Sequence, residues 1–269
     1  MTEPALLEVR DLTRSYRRPR TTLFGPKSEV SALRGVSFDV REGQRFGIVG
    51  ESGCGKSTLV RLLAALDRPT SGSVSFEGRR IDNLAERDLG FLRSRMQIVF
   101  QDPMGSLDPR MRVRDIISEP LGRARDRYDR VAELLEAVDL PADSGRRYPH
   151  QFSGGQRQRI SIARALAPRP DVLIADEAVS ALDVLVRAQI LELLADLVQR
   201  FDLTLIFVSH DLAVVRNVCD TVAVMRGGEI VEHGAIDQVY DEPEHPYTRE
   251  LIAAAPSLRA ALANLEDRA

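Results

Sequence analysis

Hydrophobic and polar residues alternate in the first third of the chain with the two-residue period of β-strands. Residues 6–12 and 36–40 alternate in this way, which predicts two half-buried strands. Residues 46–49 form a short continuous apolar run, which is typical of a buried strand. A glycine-rich turn follows, and residues 59–66 then have helical spacing. The pattern predicts several strands and one strand–turn–helix unit.

The middle of the chain, roughly residues 87–165, changes to a helical pattern. One face of an amphipathic helix is predicted by the spacing of Val131, Leu134, Leu135 and Val138. Strand and helix patterns then alternate again. The predicted strands cover residues 172–175, 205–208, 221–225 and 229–231, and helices begin at Val184 and Leu212. This order predicts an α/β fold, a parallel-sheet core with a helical insertion in its middle.

Composition narrows the class of protein. The chain has 269 residues, 43% of them hydrophobic, which suits one large α/β domain or a domain with a small subdomain. A net charge of −3 offers no basic field for a nucleic-acid partner. Apolar runs are too short to span a bilayer, and no secretory signal opens the chain. Two cysteines are too few for a disulfide framework or a four-ligand metal site. We expect a soluble, reduced, cytosolic protein.

The strongest chemical signal is a complete G-x4-G-K-[ST] phosphate loop directly after the 46–49 run. It consists of Gly50, Glu51, Ser52, Gly53, Cys54, Gly55, Lys56 and Ser57, with Thr58 next in the chain. Glycines let the backbone curl around phosphates, and the following helix adds its positive end. Lys56 is expected on the β- and γ-phosphates, and the Ser57 hydroxyl on Mg²⁺. Cys54 is predicted to be a small turn residue rather than a redox site.

Two adjacent carboxylates, Asp176 and Glu177, end the predicted strand at residues 172–175. The carboxyl ends of strands are where α/β sheets bind ligands. We expect Asp176 to hold Mg²⁺ through its waters and Glu177 to orient or deprotonate an attacking water. Alone, this pair would fit helix capping equally well. The phosphate loop in the same chain favours the catalytic interpretation.

A second candidate anion site begins at Ser153, which is followed by Gly154, Gly155 and Gln156. Ser153 is placed to cap a helix whose first amides point outward. A plain capped helix is the alternative interpretation. One nucleotide does not obviously need two phosphate cradles, so the second one is expected to serve a nucleotide held by another copy of the same fold.

Together these motifs resemble the ATPase subunits of ABC transporters over nearly the whole chain. The resemblance implies a single nucleotide-binding domain over residues 1–269, with a P-loop NTPase (RecA-like) core, N-terminal antiparallel strands and an inserted helical subdomain. The core is expected at about residues 1–100 and 165–234, the helical subdomain at about 101–164, and a C-terminal extension at about 235–269. ATP and Mg²⁺ are the implied cofactors.

Further site residues follow from the resemblance alone. Tyr16 matches the aromatic residue that stacks on adenine. Gln101 matches the Q-loop, with a nucleotide and Mg²⁺ role, and Asp183 matches the D-loop. His210 matches the switch histidine, which contacts the γ-phosphate. The resemblance also implies a head-to-tail dimer that encloses each γ-phosphate between two subunits. One subunit contributes its phosphate loop, and the other contributes the signature segment, which runs from Ser153 to Gln156.

Within that family the chain resembles the importer ATPases for dipeptides, oligopeptides or nickel. The resemblance rests on residues 99–110, 178–191 and 245–249, and the insertion at 17–29 resembles the second ATPase of an importer pair. The implied partners are two membrane-spanning permease subunits, a second related ATPase or a second copy, and an extracytoplasmic solute-binding protein. The implied location is peripheral, on the cytoplasmic face of the membrane. Peptide is the first expected solute and nickel the second.

Longer members carry a cysteine-rich C-terminal segment associated with an iron–sulfur cluster. The sequence ends at Ala269 without that segment, so neither a cluster nor the role of that segment is assumed. Rival classes fit less well. A DNA-repair or chromosome ATPase needs a long coiled coil between Gln101 and Ser153, a translation-factor ATPase carries two cassettes, and an exporter half is normally fused to membrane helices.

Overall fold

A computed structural model describes residues 4–17, 29–122 and 124–254, and these contain ten β-strands and ten α-helices. The strands are β1 (Leu7–Arg17), β2 (Glu29–Val40), β3 (Arg45–Val49), β4 (Ser71–Phe76), β5 (Arg79–Arg80), β6 (Met96–Val99), β7 (Val172–Asp176), β8 (Thr204–Ser209), β9 (Thr221–Arg226) and β10 (Glu229–Ala235). The helices are α1 (Lys56–Leu63), α2 (Gly90–Arg95), α3 (Pro103–Ser106), α4 (Val113–Ser118), α5 (Arg127–Ala137), α6 (Gly154–Leu166), α7 (Val184–Arg200), α8 (Leu212–Arg216), α9 (Ile236–Asp241) and α10 (Pro246–Ala254).

These elements form two compact units. The first contains the described residues up to Gly90 together with residues 210–254, and the second contains Phe91–Ser209. The predicted insertion at residues 17–29 lies almost entirely outside the described residues, as does the end of the predicted C-terminal extension. None of the ten described helices has both the length and the apolar character that a membrane crossing needs.

The first unit contains an antiparallel sheet in the order β2-β1-β4-β5. Leu7 pairs with Val40 on one side and with Phe76 on the other, and all three side chains are buried. This confirms the predicted N-terminal antiparallel strands. The first strand continues five residues beyond the predicted end at residue 12, past a register irregularity at which Asp11 has a positive φ of 45°. Such an irregularity shifts the side-chain alternation, which is why the pattern stops early.

The first unit also contains β3, which pairs parallel with β9, and β10, which pairs antiparallel with β9. Phe46, Ile48 and Val49 are fully buried, as the continuous apolar run predicts. Because β3 ends at Val49, the glycine-rich turn begins at its carboxyl end.

In the second unit, β6, β7 and β8 pair in parallel, with β7 in the middle. The apolar residues of β7 are 0–1% exposed, which fits a strand covered on both faces. Asp176 is its last residue and lies opposite Val208. The predicted parallel pairing is therefore confirmed within this unit.

The described part of the segment between Gln101 and Leu166 contains helices and no strand. Helices α4, α5 and α6 pack on one another. The four residues of the predicted helical face are buried: Val131, Leu134, Leu135 and Val138. The amphipathic pattern therefore identified α5, and a helical insertion is present.

Candidate functional site

The predicted site residues fall in both units. The first unit contains the phosphate loop, Tyr16 and His210, and the second contains Gln101, the signature segment, Asp176, Glu177 and Asp183. Each group is described within its own unit.

The phosphate loop connects the end of β3 to the start of α1. Helix α1 begins at Lys56, so Lys56 and Ser57 occupy its first turn, where backbone amides have no partner within the helix. Gly55 precedes them with a φ of 113°, a left-handed conformation that favours glycine. A helix start of this kind attracts anions because the amides and the helix dipole act together.

Two glycines of the loop lie against neighbouring backbone. A Cβ atom on Gly50 would be 2.2 Å from the carbonyl oxygen of Met225, and one on Gly55 would be 2.4 Å from that of Ala32. Real side chains do not come that close to backbone atoms. Glycine is therefore required at both positions, and the loop can curl tightly enough to surround a phosphate.

The side chain of Lys56 lies inside the loop. It is 4% exposed, and its ammonium donates to the carbonyl oxygens of Gly50, at 2.6 Å, and Glu51, at 3.0 Å. A buried ammonium requires such partners because burial removes its hydration. The loop's own carbonyls thus fix the position of the positive charge beside the amides at the start of α1.

Cys54 lies in the same turn with its thiol buried and not in a disulfide. Burial raises the pKa of this thiol, so it stays protonated at neutral pH. This environment supports the prediction that Cys54 is a small turn residue without a redox role.

Tyr16 is half-buried on β1. Its hydroxyl donates to Asp67 at 2.8 Å, and the guanidinium of Arg14 lies 4.5 Å from its ring centroid. Burial alone would raise the pKa of Asp67, but the hydrogen bond from Tyr16 and the positive charge of Arg14 lower it overall. The carboxylate therefore stays ionised and holds the ring in place. Stacking of adenine on Tyr16 stays a prediction.

His210 is exposed and directly follows β8 in the chain. Asp211, the next residue, accepts hydrogen bonds from the amides of Ala213 and Val214 and so caps α8. This cap fixes the backbone immediately after the histidine. Contact of His210 with a γ-phosphate stays a prediction.

In the second unit, Glu177 has an unusual backbone conformation at the end of β7. Its φ is 48°, in the left-handed region that a residue with a side chain seldom occupies. Its amide donates to Val208 at 3.0 Å, and its carbonyl accepts from both the amide and the hydroxyl of Ser180, at 3.1 and 3.0 Å. These three hydrogen bonds hold the backbone of Glu177 in this conformation.

Ser153 and Gln156 form a capping box at the start of α6. The Ser153 hydroxyl accepts from the Gln156 amide, and the Gln156 side chain accepts from the Ser153 amide at 3.0 Å. This confirms the predicted cap. Both side chains are exposed, so this end of the helix is accessible to a partner.

The second unit brings the signature segment next to the D-loop. Asp183 caps α7 by accepting from the amide of Val186 at 3.0 Å. Val186 in turn packs against Gly155 of α6. Gln101, by contrast, is exposed and lies two residues beyond the end of β6.

The packing at Gly155 gives a test of this arrangement. A Cβ atom there would lie 2.4 Å from a methyl group of Val186, whereas one on Gly154 would meet the nearest side chain at 3.7 Å. We expect Gly155→Ala to lower the free energy of unfolding by about 1 kcal/mol, because overpacking outweighs the gain in helix propensity. Gly154→Ala is the matched control and should be neutral or stabilising. Urea unfolding measures both, and equal stabilities would contradict the described packing.

A divalent cation would need ligands other than a cluster of His, Cys, Asp or Glu side chains among the described residues. Among the described residues, no group of three or more His, Cys, Asp or Glu side chains is arranged to hold a metal ion. The predicted ligands Ser57, Gln101 and Asp176 offer oxygen donors, which is the chemistry that Mg²⁺ prefers. With so few protein ligands, phosphate oxygens are expected to complete the shell. Within its own unit, each of these three residues therefore carries the kind of oxygen atom that Mg²⁺ binds.

One contact of the phosphate loop was not predicted. The amide of Glu51 donates to the hydroxyl of Tyr247 on α10. The sequence points to residues 245–249 only through their resemblance to importer ATPases. A contact between residues 196 positions apart has no signal in a single sequence.

Comparison with known proteins assigns the family. The ABC transporter family matches residues 33–180. The chain is 47% identical to a putative peptide import ATP-binding protein of Brucella ovis, covering 96% of this chain and 80% of that protein. It is 47% identical, with the same coverage, to the oligopeptide transport ATP-binding protein AppF of Bacillus subtilis. It is 46% identical to the di/tripeptide transport ATP-binding protein DppF of Pseudomonas aeruginosa, covering 94% of this chain and 80% of that protein.

Solved structures agree with this assignment. A dimeric ATP-binding cassette in a post-hydrolysis state, bound to ADP and Pi, is 28% identical with a TM-score of 0.75, covering 86% of this chain and 98% of that one. The cassette cbiO1 of Clostridium perfringens, part of the ABC transporter complex cbiONQ, is 27% identical with a TM-score of 0.76, covering 97% and 100%. The resemblance inferred from the motifs is thereby confirmed, and the chain belongs to the ATP-binding proteins of the ABC transporter family.

Proposed function

We propose that this chain is the ATP-hydrolysing subunit of an ABC importer for dipeptides or oligopeptides. The observation that carries the proposal is the identity of 46–47%, over nearly the whole chain, to relatives whose names specify peptide import or peptide transport. Such identity extends beyond the motifs that all ABC ATPases share.

The nucleotide is proposed to bind with its β- and γ-phosphates in the phosphate loop and its adenine on Tyr16. The ammonium of Lys56 and the amides at the start of α1 supply positive charge and hydrogen bonds to the phosphates. The buried position of Lys56 supports this role, because the charge is already fixed before a ligand arrives.

Mg²⁺ is proposed to be held by the hydroxyl of Ser57, the amide oxygen of Gln101 and, through water, the carboxylate of Asp176. When bound, it neutralises negative charge on the phosphate oxygens. The other roles in nucleotide binding and hydrolysis are proposed for the chain's own residues.

Hydrolysis is proposed to depend on Glu177 and His210. Glu177 orients the attacking water and accepts its proton, and His210 contacts the γ-phosphate and keeps the water in line. Phosphoryl transfer needs this kind of positioning more than covalent chemistry. The position of Glu177 at the end of β7, with its backbone anchored by hydrogen bonds, supports the assignment.

Each ATP is proposed to be shared by two cassettes. The signature segment of one cassette would close over the γ-phosphate held by the phosphate loop of the other. Two observations support this: the cap at Ser153 is exposed, and a related cassette is a dimer in its solved structure. The hydroxyl of Ser153 and the amides at the start of α6 would donate hydrogen bonds to a charged phosphate, each worth about 1.5–3 kcal/mol, so completing the shell in this way matters. ATP would hold the dimer closed, and hydrolysis would release it.

The partners follow from the importer assignment. We propose that the chain pairs with a second related ATPase, or with a second copy, on the cytoplasmic face of the membrane. Two membrane-spanning permease subunits would dock beside Gln101 and the helical segment that follows it, and a solute-binding protein would deliver the peptide. Movement at Gln101 could then report the presence of γ-phosphate to the permeases.

Peptide uptake in cells tests the proposed function. Deleting the gene should abolish uptake of a radiolabelled di- or oligopeptide, and the wild-type chain should restore it. Glu177→Gln should not restore uptake at equal protein level, whereas Glu192→Gln, which neutralises an exposed carboxylate on α7, should restore it fully. Unchanged peptide uptake in the deletion strain would contradict the assignment, and loss of nickel uptake instead would replace peptide by nickel.

A further inference from the structure

The C-terminal helix α10 reaches the phosphate loop through one side chain. Tyr247, in the first turn of α10, is 1% exposed, and its hydroxyl accepts a hydrogen bond of 2.9 Å from the amide of Glu51. The two residues belong to the same compact unit. A buried tyrosine hydroxyl requires a polar partner, and here that partner is the backbone of the loop.

The hydrogen bond fixes one particular peptide group. The amide of Glu51 and the carbonyl of Gly50 belong to the same planar unit. Its carbonyl side accepts from the ammonium of Lys56 at 2.6 Å, and its amide side donates to Tyr247. Rotation of this peptide would therefore break both hydrogen bonds at once. Through it, the tyrosine hydroxyl is connected to the lysine charge.

Tyr247 is itself held firmly. The carboxylate of Glu232 on β10 accepts hydrogen bonds from the amides of Glu244 and His245 and from the hydroxyl of Thr248. The amide of Tyr247 donates to Nδ1 of His245 at 3.1 Å. These hydrogen bonds fix the turn at the start of α10, and this turn holds the backbone of Tyr247, whose ring is buried.

The charge of Glu232 keeps the hydrogen bonds of this turn intact at neutral pH. Burial alone would raise the pKa of Glu232, but its hydrogen bonds from Thr248 and the two amides lower it overall. The guanidinium of Arg226 also lies 4.8 Å from the ring centroid of Tyr247. The carboxylate that anchors the turn is therefore ionised under physiological conditions.

We propose that Tyr247 is a positioning residue for the phosphate loop, which orients the peptide between Gly50 and Glu51 and thereby sets the position of the Lys56 ammonium before nucleotide binds. The proposal rests on the proposed binding of ATP at this loop. It gives the C-terminal segment a role in nucleotide affinity. A tyrosine that only filled space would need its ring and not its hydroxyl.

Tyr247→Phe separates these two roles because it removes the hydroxyl and keeps the ring. Tyr240→Phe, on α9 of the same segment, is the matched control. We expect the ATP dissociation constant of the full-length chain to rise by about tenfold in Tyr247→Phe, the worth of one hydrogen bond, and to stay unchanged in the control. In the assembled transporter, KM for ATP should rise while kcat changes less than twofold, because bound phosphates restore the position of Lys56.

Hydrogen exchange gives a readout that does not depend on ATP. The Glu51 amide should exchange slowly in the nucleotide-free wild type and faster in Tyr247→Phe. Thr248→Val, which removes one bond to Glu232 and leaves Tyr247 in place, should shift affinity and exchange in the same direction by less.

The outcomes separate this inference from the proposed function. If the wild-type chain does not bind ATP, the proposed function fails, and exchange at Glu51 still decides whether Tyr247 orients the loop. If Tyr247→Phe binds ATP as tightly as wild type, the inference is overturned. Fast exchange of the Glu51 amide in the wild type overturns it as well, even if no variant folds.

Discussion

Glu177→Gln is expected to bind ATP about as well as the wild-type chain and to hydrolyse it about 10² to 10⁴ times more slowly in the assembled complex. Glutamine keeps the size of the side chain but loses the charge and basicity that act on the attacking water. The left-handed backbone at residue 177 is set by hydrogen bonds of its own amide and carbonyl, so the substitution should leave it unchanged. Equilibrium nucleotide binding and phosphate release, measured on the same preparation, check both parts.

The control for this variant is Glu192→Gln, which should hydrolyse ATP at the wild-type rate. Hydrolysis by Glu177→Gln near the wild-type rate would show that another group activates the water. Loss of ATP binding in the same variant would show instead that Glu177 acts on the bound nucleotide.

Lys56→Ala should lose nucleotide affinity and turnover together. The ammonium contributes charge-assisted hydrogen bonds to phosphates in the bound ground state, and one such bond is worth about 1.5–3 kcal/mol, or roughly 10- to 10²-fold in affinity. The substitution also removes the donor shared by the carbonyls of Gly50 and Glu51, which loosens the empty loop. Fluorescent ATP titration and phosphate release measure the effect.

Arg61→Ala is the matched control, since Arg61 is an exposed cation on the same helix α1. Its ATP affinity should equal that of the wild type. If Lys56→Ala binds ATP as tightly as Arg61→Ala, the loop does not use its lysine for phosphate binding.

The strand–turn–helix unit around the phosphate loop was predictable because its signals are local. The apolar run at residues 46–49 and the glycines gave its position, yet α1 begins at Lys56 rather than at residue 59 and ends at Leu63 rather than 66. The first turn of that helix is polar, so hydrophobic spacing cannot detect it. Strand β4 was missed for a related reason, since only Val74 and Phe76 of its six residues are buried.

Features of the candidate site were predictable from the sequence where they depend on residues that are close together in the chain. The capping box of Ser153 and Gln156 follows from their spacing of three residues. The left-handed backbone at Glu177 and the hydrogen bond from Glu51 to Tyr247 depend instead on tertiary structure. Neither has a local sequence signal, and both bear on how the proposed site would work.

The most direct test of the claim that two cassettes share each nucleotide is the mass of the Glu177→Gln protein in the presence of ATP. A matched pair of second substitutions is available, because Asn and Asp cap helices as well as Ser does. Ser153→Asn keeps the cap neutral, and Ser153→Asp adds a negative charge where the partner's γ-phosphate is expected. With ATP, we predict a dimer, with the second cassette or with a second copy, for Glu177→Gln alone. We predict an ATP-bound monomer when Ser153→Asp is added and an intermediate dimer fraction with Ser153→Asn. Equal dimer fractions for the Asp, Asn and unsubstituted proteins would contradict the claim.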